Sequence, residues 1–160
     1  MQIKDLATKF NLLSKDLKEQ PTLELVMAFP NSYACNDEDD VIALNLSGRD
    51  FKNEQIQVLL GIPELEALNL SESKLTEMAI PKSLSKLQFL DFSDSELTEL
   101  NFEGGLPNLK KLDISGCKLE KLELPAGFEA LDTIEAQNNQ LLEFKLDGNS
   151  PNLRIVDLSG

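Results

Sequence analysis

Histidine is missing from the chain altogether, and with it the commonest general base and the commonest metal ligand. Serine triads, HExxH zinc sites and Cys/His fingers cannot be built from the residues present. Cysteine is scarce. Cys35 and Cys117 are too few and too far apart for a disulfide framework, so free thiols in a reducing compartment are expected. Basic charge is short too, with 15 Lys and Arg against 28 Asp and Glu in 160 residues, a net charge of −13. That deficit argues against a nucleic-acid partner, whose phosphates demand cations, and against docking on an anionic membrane. No apolar run approaches the roughly 18 residues of a spanning helix. Lys4, Asp5 and Lys9 interrupt the start, so no signal-peptide core is seen and a cytoplasmic chain is expected. The length suits one core.

What the chain has is repetition, the first thing to settle in any unfamiliar sequence. Segments starting at Val41, Leu65, Leu87, Leu109, Leu131 and Leu153 align as VIALNLSGRDF, LEALNLSESKL, LQFLDFSDSEL, LKKLDISGCKL, LDTIEAQNNQL and LRIVDLSG. The first step is 24 residues and the following four are 22. Each copy reads apolar-x-x-apolar-x-apolar. This pattern resembles the leucine-rich repeat signature LxxLxLxxNxL over residues 41–160, in the short form of intracellular bacterial proteins. The family's Asn position holds Arg49, Ser73, Ser95 and Cys117, and Asn139 alone keeps the amide. The resemblance implies that this side chain bonds backbone groups along the turn. Ser and Cys can do part of that and Arg49 cannot, so the first copy should be irregular.

Elementary physics leads to the same fold. Leu68/Leu70, Leu90/Phe92 and Leu112/Ile114 alternate with polar neighbours, as half-buried strands do. One such strand cannot bury its apolar face, whereas stacked copies can. The fold class expected is therefore a β-rich, right-handed α/β leucine-rich-repeat solenoid, with a parallel sheet on its concave face. The second halves, such as Leu97–Phe102, Leu119–Leu124 and Leu141–Leu146, alternate again and predict short extended segments on the convex side. Leu84, Leu106 and Phe128 should plug the core before the next strand. Ser150 and Pro151 replace the plug in the fifth copy, whose convex side should differ. The two extra residues of the first copy, around residues 53–60, suit a short convex helix.

Residues 1–40 do not repeat. Ile3, Leu6, Phe10, Leu13 and Leu17 form one helical stripe, and Leu23, Leu25, Val26 and Phe29 a second apolar patch. An N-terminal helical cap over the open end of the solenoid is expected, with a partner-binding amphipathic helix as the alternative. Asp37-Glu38-Asp39-Asp40 lacks the rest of a calcium loop and reads as a solvated entry to the first strand. Cys117, at the Asn register, should be a buried structural thiol.

With positions 4 and 6 of each copy inward, positions 3, 5 and 7 face out on the concave side. Position 5 reads Asn45, Asn69, Asp91, Asp113, Glu135 and Asp157; position 3 reads Ala43, Ala67, Phe89, Lys111, Thr133 and Ile155. Position 7 is mainly Ser. Two unit charges 4.8 Å apart repel by roughly 0.9 kcal/mol even in water, and a cationic partner would relieve that. Asp is also ordinary at this position in the family the chain resembles. The binding face is assigned to Asn69, Phe89, Asp91, Lys111, Asp113, Glu135 and Asp157, with a basic protein as partner. No catalytic group, cofactor or metal is expected, because a flat carboxylate column offers neither cleft nor nucleophile–base pair. A second reading makes the chain the N-terminal regulatory or targeting arm of a larger enzyme, a GTPase or effector, with catalytic residues beyond Gly160. The sixth copy stops at Gly160 without a turn or cap, which reads as the front of a longer repeat protein, with self-association through that end as a third reading.

Overall fold

The computed structural model describes Val26, Ala28 and residues 30–160. The stripe of Ile3, Leu6, Phe10, Leu13 and Leu17, and Leu23, Leu25 and Phe29, lie outside the described residues. Eleven strands and the helix Asn53–Leu60 are present among those described, and Val26 and Ala28 are helical as well. The first strand of each copy is β2 (Val41–Asn45), β3 (Ala67–Asn69), β5 (Phe89–Asp91), β7 (Lys111–Asp113), β9 (Thr133–Glu135) and β11 (Ile155–Asp157). These run parallel in one broad sheet, and β1 (Ser32–Cys35) joins it antiparallel to β2. The second halves give β4 (Glu77–Ile80), β6 (Glu99–Phe102), β8 (Lys121–Leu124) and β10 (Glu143–Leu146). These form two narrow parallel sheets, β4–β6 and β8–β10. The result is a parallel β-solenoid with little helix.

The core lies between the broad and narrow sheets. Leu44, Leu68, Leu90, Leu112 and Ile134 stack at position 4, fully enclosed, with Leu46, Leu70, Phe92, Ile114 and Ala136 behind them at position 6. The expected plugs Leu84, Leu106 and Phe128 are buried, and Phe128 meets Phe102 edge to face at 5.3 Å between ring centres. The helix expected in the first copy is α1 (Asn53–Leu60), with Ile56, Leu59 and Leu60 facing the core.

Five strands of the broad sheet, β2, β3, β5, β7 and β9, end the same way. Gly48, Glu72, Asp94, Gly116 and Asn138, all at position 8, have φ between 54° and 70°. This left-handed residue reverses the chain after position 7, a conformation that Gly and Asn adopt most readily.

The entry segment departs from a purely helical cap. Ser32–Cys35 is a strand, in register from Ser32 opposite Asn45 to Cys35 opposite Val41, with an irregularity at Ala34/Cys35. It turns Tyr33 and Cys35 against the core and so covers the edge of β2. The acidic run is a turn organised by Asn36, whose Oδ1 accepts the N–H groups of Glu38 (3.0 Å) and Asp40 (2.9 Å). In the fifth copy the convex strand β10 keeps full register with β8, but Phe144 and Leu146 are half-buried, Leu142 is exposed, and at the plug the Ser150 hydroxyl is buried without a partner among the described residues. At the far edge of the sheet Ile155, Val156 and Leu158 are exposed.

Candidate functional site

The pairing register lines up the predicted columns residue by residue. Ala43, Ala67, Phe89, Lys111, Thr133 and Ile155 are Cα partners in succession, as are Asn45, Asn69, Asp91, Asp113, Glu135 and Asp157. The face they form is not uniform. Ala43 and Ala67 are 0% exposed, Asn45 1% and Asn69 6%. From Phe89 onward the same positions are half-buried or exposed.

The division has a local cause. Val26 packs with Ala34, Ala43 and Ala67 in a small apolar cluster on the outer side of the sheet. The Val26 carbonyl accepts the Asn45 amide at 3.1 Å and the Ser32 hydroxyl at 2.9 Å. The chain at Val26 thus lies across β2 and β3, and small side chains at position 3 leave room for it. Asn69 was expected on an open binding face; it is enclosed instead. Its Oδ1 accepts the Ser71 N–H (2.8 Å) and its amide donates to Asp91 Oδ2 (3.1 Å), so it props the first carboxylate of the column. The signal was in the sequence: Ala, Ala and Asn, Asn give way to Phe, Lys and Asp, Asp at the boundary between covered and open sheet.

Position 5 has a structural task before any binding one. Asp91 Oδ1 accepts from the Ser93 N–H (2.8 Å) and hydroxyl (2.7 Å), and Asp113 Oδ1 from those of Ser115 (3.1 and 2.6 Å). Asp157 does the same with Ser159 (3.0 and 2.7 Å). Asn45 and Asn69 make the equivalent bond from an amide oxygen, to Ser47 and Ser71. One oxygen therefore fastens the strand end and the second remains for neighbours or ligands. In the fifth copy Gln137 stands in for Ser, and its Oε1 is buried without a partner among the described residues.

The carboxylates are not equivalent. Lys111 Nζ sits 2.8 Å from Glu135 Oε2 and 3.6 Å from Asp113 Oδ2, an internal cation within the acidic column. Burial alone would raise the Asp113 carboxyl. Its bonding with Glu135 and Ser115 and the charge of Lys111 outweigh that and hold it below the usual range. Glu135 moves the other way, raised chiefly by its contact with Asp113. Burial pushes Asp91 up, against the hydrogen bonds of Ser93. Asp157 is lowered by Ser159.

The Asn register behaves as its residue types dictate. Asn139 donates to the Ile114 (2.7 Å) and Ala136 (3.0 Å) carbonyls and accepts the Leu119 N–H (3.0 Å). Cys117, buried as expected, and Ser95 both reach the Phe92 carbonyl, at 3.2 and 2.6 Å. Burial raises the Cys117 thiol, so it stays protonated at neutral pH. Arg49 leaves this register and bonds Asn31 Oδ1 instead. Cys35, on β1, is half-buried, and burial raises its thiol as well.

Among the described residues no three His, Cys, Asp or Glu side chains are grouped to hold a metal ion, and no helix is long and apolar enough to cross a membrane. A family model described as Leucine Rich repeats (2 copies) matches residues 85–126, the third and fourth copies. The match supports the leucine-rich-repeat reading, and domains of that class generally serve protein–protein interaction as non-catalytic scaffolds. None of the curated proteins matches the chain.

Proposed function

We propose that the chain is a protein-interaction module whose broad sheet, from Phe89 to Asp157, binds a basic protein partner. The observation that supports it most directly is the in-register series Asp91, Asp113, Glu135, Asp157 on the uncovered half of the sheet. Like charges aligned across neighbouring strands are unfavourable, and an incoming cation relieves them. Lys111 offsets part of the repulsion from within, leaving the column net negative. Phe89, half-buried at the border of the covered region, supplies an aromatic anchor beside Asp91. The overall charge of −13 steers a basic partner toward this face.

The test is capture of partners from the source cell by the wild-type chain and by the triple variant Asp91→Asn, Asp113→Asn, Glu135→Gln. Asn keeps the oxygen that receives the Ser N–H, as Asn45 and Asn69 already do, so the fold should survive. A partner held by the wild type and lost at least tenfold by the triple variant is expected. Equal capture by two equally folded chains sinks the proposal.

A further inference from the structure

The narrow sheet β4–β6 begins at β4, which pairs with β6 on one side and, among the described residues, has no strand on the other. On that other side stands α1, because the first copy uses a helix where later copies use strands. Between α1 and β4 runs a groove of about 500 Å³. Its walls include Phe51, Ile56, Leu60, Leu75 and Met78, and its rim carries Glu77 and Glu99. A further hollow along the same seam, reaching Ala79 and Glu103, continues it. Lys74, also at the rim, is already engaged by Asp50 at 2.7 Å.

The ladder determines which backbone groups face this groove. The Glu99 and Glu103 N–H groups donate to the Thr76 (3.2 Å) and Ile80 (3.0 Å) carbonyls, so the peptide groups of Thr76, Met78 and Ile80 point toward β6. Alternation along a parallel ladder turns the N–H and C=O of Glu77 and Ala79 the opposite way, toward α1. Among the described residues neither makes a backbone hydrogen bond outside the ladder.

We infer that the β4 edge accepts an extended segment of a partner protein as an added strand, in which apolar side chains alternate with Lys or Arg. An unpaired edge supplies main-chain bonds to such a segment, and alternate side chains then read the two sides of the sheet. Side chains turned inward approach the seam where Ile56, Leu60 and Met78 close the core, each no more than 6% exposed, so the main-chain bonds and the acidic rim carry the contact. Those turned outward lie beside Glu77, whose neighbours Glu99 and Glu103 leave this seam negative once Lys74 is paired. The groove is on the face opposite the acidic column, so this inference does not depend on the proposal above.

The probe is an acetylated, amidated eight-residue peptide of alternating Val and Lys, titrated into the isotope-labelled full chain and followed by amide NMR. The expected result is saturable binding with the largest shifts and exchange protection at Glu77 and Ala79. Ala79→Pro, which removes one edge N–H, should weaken it at least tenfold, and so should Glu77→Lys with Glu99→Lys, which serves if the proline variant does not fold. The variant Asp91→Asn, Asp113→Asn, Glu135→Gln should bind the peptide as the wild type does. No binding, shifts confined to the broad sheet, or unchanged affinity in the edge variants would overturn the inference.

Discussion

Asp91 and Asp113 hold the same register position one repeat apart, make the same bonds to Ser93 and Ser115, and are pushed in opposite directions. What separates them is depth and company. Asp91 is the more deeply buried, toward the covered end, and burial prevails, whereas for Asp113 the bonding with Glu135, joined by the Lys111 ammonium nearby, outweighs it. Carboxyl-carbon NMR titration should therefore place the Asp91 midpoint above the usual Asp range and that of Asp113 below it; coincident midpoints would contradict this. The stability signs are opposite as well. Asp113 contributes stability above the ordinary Asp pKa and loses it as pH falls through its depressed value. Asp91, raised by burial, favours the fold at low pH, and that contribution fades as pH rises through its elevated value. Lys111→Met should raise the Asp113 midpoint, since a lowering charge is removed.

Among the elements, the strands of the repeats were legible because their signals are periodic and duplicated. Leu68, Leu90, Leu112 and Ile134 could be placed in one stack before any coordinates, and α1 followed from two surplus residues. Strand β1 was not legible. Ser32–Cys35 is four residues long, and its pairing with β2 depends on a reversal in the Asn36 turn, which carries no repeat signal. The covering of Asn69 was missed for a related reason: column arithmetic assumes every copy is equally open, while Val26 arrives from outside the repeat. Self-similarity reveals what the copies share and hides what docks on one of them.

Two glycines separate local from contact constraints at this scale. Gly48 has φ of +70° and open space where a Cβ would go, so Gly48→Ala should cost about 1 kcal/mol through backbone conformation alone. A Cβ on Gly105 would lie 2.3 Å from the Gly127 Cα, where the turns of neighbouring repeats touch backbone to backbone. That contact can be relieved only by opening the stack. Chemical denaturation should show Gly105→Ala as the more destabilising of the two, and the reverse order would remove this close approach as a determinant of stacking.

The whole molecule is a stack in which each repeat contacts chiefly its neighbours, so surface columns extend without a cleft to shelter chemistry. Its two faces carry different offers: a broad sheet half covered by its own entry segment and acidic beyond Phe89, and two narrow sheets, of which β4–β6 turns an unpaired edge toward α1. The fold supplies a shape rather than a partner, and identity resides in the columns that vary. Once a partner is in hand, the direct test of the acidic column is its Kd as a function of ionic strength, for the wild type and for Asp91→Asn, Asp113→Asn, Glu135→Gln. Recognition by the column predicts a wild-type affinity that falls steeply with added salt, and a triple variant that is at least tenfold weaker at low salt with a flatter dependence. Equal affinities with equal slopes would show that the partner is recognised elsewhere.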